Sequence, residues 1–154
     1  MSVTRRTSGG TDERMILQLN FEEIRALRSG GQSLLGEGTE ASAPVLAPPE
    51  SRARIESLLP RLDGDLSLST LAEVRAVGVA VDAIAEYLRV EMESAVLATH
   101  AADEDAVAAY FDFAHALTVA HRLSDLVQEM EAVVELVTGR PVTEDARRTF
   151  RFPD

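Results

Sequence analysis

The sequence predicts an all-α fold: a long antiparallel helical hairpin packed as part of a four-helix bundle, with a short N-terminal strand-helix segment and short accessory helices. Three observations predict it. Two long stretches, from about Leu71 to Ala98 and from about Asp103 to Thr138, repeat apolar residues at intervals of three and four. A break of four residues, Thr99 to Ala102, separates them, which forces neighbouring helices to run antiparallel. Thr70 followed by Glu73 has the spacing of a capping box, and Gly139 with Pro141 ends the second stretch.

Before the hairpin, Met1 to Arg14 carries Ser, Thr, Gly and Arg without periodicity and is expected to be a mobile, disordered tail. Residues 15–35 form the strand-helix segment. Ile16, Leu17 and Leu19 suit a short strand, and Asn20 suits the cap of a helix whose apolar positions are Phe21, Ile24 and Leu27. Ser29, Gly30 and Gly31 are expected to stop that helix. Residues 36–48 hold Gly, Ser, Ala and Pro with no pattern and read as a linker to a helical hairpin domain over 49–154. There Pro49 opens a short helix with Ile55, Leu58, Leu59 and Leu62 on one face, closed by Asp63 and Gly64.

Within the first long helix Leu71, Val74, Gly78, Val81, Ala85, Leu88 and Met92 form the main stripe. Ala76, Val79, Ala83, Tyr87, Val90 and Leu97 form a second apolar face. The other long helix changes sides. Its first half gathers Val107, Tyr110, Phe111, Ala114, Leu117 and His121, and its second half gathers Ala116, Val119, Leu123, Val127, Met130, Val134 and Val137 nearly opposite. Neither Pro nor Gly supports a kink, so the helix is expected to pass from one packing partner to another. A second copy of the chain is the economical supplier, giving an intermolecular four-helix bundle. The expected interface is Val79, Tyr87, Val90, Leu97, Tyr110, Phe111, Leu117, Leu123, Val127, Met130 and Val134.

Composition narrows the function classes. With 154 residues, 45% hydrophobic, the chain can bury one core. A net charge of -11 repels nucleic acid. The absence of cysteine removes disulfides, thiolate metal sites and a Cys nucleophile, and points to the cytoplasm. No signal peptide and no run of roughly 20 apolar residues is visible, so neither export nor a membrane is expected. Every basic side chain is Arg, which reads as the coding bias of a GC-rich bacterial genome.

Chemistry-bearing motifs are sparse. Ser29-Gly30-Gly31 lacks the spacing of a phosphate loop or a dinucleotide fingerprint, so no cofactor is implied. Asp112 with His115, and His121 with Asp125, stand three and four apart, spacings at which two side chains can reach one metal ion, although the two pairs point in different directions. His100 suits a helix C-cap. From Asp82 to Glu135 acids outnumber Arg89 and Arg122, which suits a soluble face, a basic protein partner or a polyanion mimic. Phe150, Arg151 and Phe152 form a basic, aromatic tail that could meet a partner. The function expected is that of a non-enzymatic adaptor or small subunit, self-associating or binding a protein through the hairpin. The rival is a small-molecule- or metal-binding bundle.

Overall fold

The computed structural model of the protein describes residues 1–8, 12–36, 49–99 and 104–142. The order is β1 (Ser2–Ser8), β2 (Asp12–Gln18), α1 (Phe21–Gly36), α2 (Pro49–Leu58), a single 3-10 turn (Leu59–Arg61), β3 (Leu66–Leu68), α3 (Leu71–Thr99) and α4 (Glu104–Thr138). The molecule is mostly helical, and its two longest helices pack together as the expected hairpin pair.

The start of α3 follows from its capping residues. Thr70 Oγ1 accepts the Glu73 backbone N–H at 3.2 Å, while the Glu73 carboxylate accepts the Ser69 backbone N–H at 2.6 Å. Side chains thus satisfy donors that the first turn leaves free. The same device opens α1: the Glu23 N–H donates to Asn20 Oδ1, and Asn20 Nδ2 donates to Glu23 Oε1, both at 2.8 Å. Glu23 is only 3% exposed, and its charge is matched by the Met1 α-amino group at 2.7 Å.

The N-terminal region departs from expectation. Residues assigned to a mobile tail supply β1 and the start of β2, which pair antiparallel with Val3 opposite Leu17. Leu66–Leu68 adds a third strand, antiparallel to β2, so a small sheet of order β1-β2-β3 accompanies the helices. Of the short strand expected at Ile16, Leu17 and Leu19, the first two residues lie within β2 and Leu19 lies just beyond it. Among the residues whose burial is described, Leu17, Leu66 and Leu68 are the strand residues fully buried in the core, with Met1 and Met15 packed against it, while Ser2, Val3 and Thr4 are exposed.

Gly30 and Gly31 also differ from expectation: they lie inside α1, which continues to Gly36. Both are buried where α1 crosses its neighbours. A β-carbon on Gly30 would lie 2.9 Å from Ile84 Cγ2, and one on Gly31 would lie 2.7 Å from Leu59 Cδ2. Small residues here permit close packing of α1 on α2 and α3, at the expense of helix propensity.

One core joins all these elements. Leu17, Leu27, Leu34, Ile55, Leu62, Leu68, Ile84 and Leu123 belong to a single buried cluster, so residues 15–35 share their interior with the hairpin. α1 packs on both long helices, and on the second α3 face Tyr87, expected to need an outside partner, is buried in the same core, whereas Ala76, Val79, Ala83 and Val90 are half-buried and Leu97 is exposed.

Candidate interaction surface

α4 is the element whose two sides behave differently. Ala116, Val119, Ala120, Leu123 and Val134 are buried against the rest of the chain, while Val107, Tyr110 and Phe111 remain open to solvent. Phe111 is 53% exposed, and its ring meets Tyr110 edge to face with centroids 5.7 Å apart. Near the other end of the helix Val133, Leu136 and Val137 are exposed too, Leu136 by 85%.

These clusters share a side of the helix. At about 100° per residue, the 25 positions from Phe111 to Leu136 bring the direction back to within about 20°. The same line passes Thr118, Arg122, Asp125 and Glu129, all exposed. The outer face of α4 is therefore apolar at both ends and charged between them, and the ends stand roughly 38 Å apart at 1.5 Å per residue.

The residues singled out from sequence divide between inside and outside. Tyr87, Leu123 and Val134 are buried within the single chain, the first two in its central core. Val127 and Met130 are half-buried and pack against the same core. Val79, Val90 and Leu117 are also half-buried. Leu97, Tyr110 and Phe111 are exposed as an interface would need. Leu136 and Val133 were not selected, although the angular relation to Phe111 would have found them.

Asp112 forms an ion pair with Arg25 of α1 at 3.4 Å. His121 on α4 favours the charged form of Asp82 on α3, but partial loss of solvation around this otherwise exposed carboxyl dominates and pushes it above its ordinary value. Among the described residues no three His, Asp or Glu side chains gather as a metal-ligand set. His115 and Asp125 therefore do not combine with Asp112 and His121 at one point.

A groove of about 320 Å³ runs between α3 and α4, lined by Gly78, Val79, Asp82, Leu123, Val127 and the Arg75–Glu131 ion pair, whose atoms are 2.6 Å apart. Its mouth is open to water. The acidic belt is partly neutralised as well: Glu86 and Glu93 pair with Arg89, which holds the Glu86 carboxyl below its ordinary value.

No family model, curated protein or solved structure matches this chain. Among the described residues no helix is long and apolar enough to cross a membrane. Residues 37–48 of the expected linker, His100 and the Phe150, Arg151, Phe152 tail lie outside the described residues.

Proposed function

We propose that the protein is a non-enzymatic helical interaction protein, an adaptor or small subunit of a complex, whose binding surface is the outer face of α4. The observation that carries this reading is the exposure of Val107, Tyr110, Phe111 and Leu136 along one side of a helix whose other side is buried. Exposed aromatic and aliphatic side chains grouped on one face favour burial against another macromolecule, each large one contributing about 1.5 kcal/mol or more when dried. Aromatic anchors of this kind dominate interfaces, and the charged stretch between the apolar ends restricts which partner fits.

Phe111→Glu tests the reading without touching the core. The native protein, prepared from its own host, is expected to travel as an assembly with itself or with a stoichiometric partner. The variant is expected to keep its helical circular dichroism and travel alone. Identical single-chain masses for both proteins would contradict the proposal.

A second reading, a small-ligand site in the α3/α4 groove, is favoured by one observation: Asp82 is held above its ordinary carboxylate range beside His121, an arrangement that suits a cationic or hydrogen-bond-donating ligand. Asp82→Ala would then abolish ligand-induced thermal stabilisation that Phe111→Glu leaves intact.

A further inference from the structure

We infer that the molecule covering the outer face of α4 is a second copy of the same chain, laid antiparallel so that the two α4 helices meet along this face. The inference rests on the interaction reading above and adds the partner and the register.

The face is complementary to itself when reversed. Its apolar ends, Phe111 at one and Leu136 at the other, exchange places in an antiparallel pair, so each Phe111 meets the Leu136 of the other copy. In that register Thr118 faces Glu129 and Arg122 faces Asp125, and twofold symmetry makes every contact twice. Arg122 and Asp125 thus meet with opposite sign, and Glu129 meets the Thr118 hydroxyl. Within one chain, Asp125 and Glu129 have no ion pair or side-chain hydrogen bond among the described residues. Among the described residues Arg122 donates to the Met1 carbonyl alone, at 3.3 Å, which leaves other N–H groups of the guanidinium for a carboxylate. A parallel arrangement would instead set Arg122 on Arg122 and Asp125 on Asp125, which like-charge repulsion disfavours.

In this arrangement each α3 lies on the far side of its own α4, so the seam is formed by the two α4 helices, which bury the side of α4 that the single chain leaves wet.

The absence of cysteine makes the register directly testable. Thr118→Cys and Glu129→Cys chains, mixed and exposed to oxidised glutathione, are expected to give a disulfide-linked mixed dimer as the main product, because facing positions on paired helices bring the Cβ atoms within disulfide reach. Each variant oxidised alone is expected to give little, since like positions lie about 16 Å apart along the seam. A mixed dimer no more abundant than the two self-linked ones would overturn the inference. If the native assembly contains a different protein and is lost in Phe111→Glu, the second copy is excluded while the interaction function stands. If the native chain is single and unaffected by Phe111→Glu, both fail.

Discussion

Gly30 lies directly beneath Ile84: a β-carbon on the glycine would stand 2.9 Å from Ile84 Cγ2 and 3.0 Å from Leu88 Cγ. Ile84 is branched at its β-carbon and fully buried, so it cannot step aside easily. Gly30→Val is therefore expected to cost at least about 2 kcal/mol through overpacking. Gly78, on α3, has no heavy atom within 4 Å of the corresponding position and no special backbone angle. There the ordinary helix preference wins, and Gly78→Ala is expected to stabilise by about 0.5 to 1 kcal/mol. Urea denaturation of the two variants checks both signs, and two destabilised proteins would contradict the packing described.

Thr70 is the second stability test. Its hydroxyl accepts the Glu73 N–H, and nothing else in the first turn replaces that oxygen. Thr70→Ala is expected to cost about 1 kcal/mol, whereas Thr70→Ser or Thr70→Asp should retain most of the stability. Equal stabilities for the Ala and Ser variants would show that the cap contributes nothing.

The pH dependence of stability isolates Asp82. Because its carboxyl is raised in the fold, its ionisation opposes folding: the contribution it makes is full below the unfolded value of 3.8 and is lost as pH rises through the folded value. Asp82→Asn is thus expected to be more stable than the parent at pH 7. The gap should close as pH falls through the folded value toward 3.8. Glu86, lowered by Arg89, loses its contribution in acid, but it is common to both proteins and cancels in the difference. Thermal melts between pH 3 and 7 read the result, and a pH-independent gap would sink the assignment.

How much of this was legible in the sequence depended on whether a signal was local. Asn20 and Thr70 announced their helix starts because a cap and its partner lie three residues apart. The two apolar sides of α4 were readable from angle alone, but not which of them the chain itself covers. Gly30 and Gly31 misled because a glycine that stops a helix and one that lets another helix approach look alike without knowledge of Ile84 and Leu59, which come from distant segments. β1 was missed for a related reason: its strand identity comes from pairing with β2, and Val3 gains its partner Leu17 only through the fold. Leu123 and Phe111 had equal claims as interface residues until the packing of α3 showed which side of α4 was already occupied.

That pair supplies a direct contrast. Leu123→Ala removes a side chain that is 1% exposed and is expected to cost about 2 to 5 kcal/mol of chain stability. Phe111→Ala removes one that the single chain leaves half in water, so its effect on the stability of that single chain should be within about 0.5 kcal/mol, the range of ordinary surface substitutions. Denaturation at protein concentrations low enough to keep the chains apart separates the two effects.

Sedimentation velocity over a dilution series tests most directly whether the outer face of α4 joins two copies. The native protein is expected to sediment at twice the mass of one chain at micromolar concentration, Arg122→Asp to shift toward the single-chain mass, and the charge-reversed Arg122→Asp/Asp125→Arg chain to recover the doubled mass. A native protein that stays at single-chain mass throughout, or a reversed chain that fails to recover, would contradict the account.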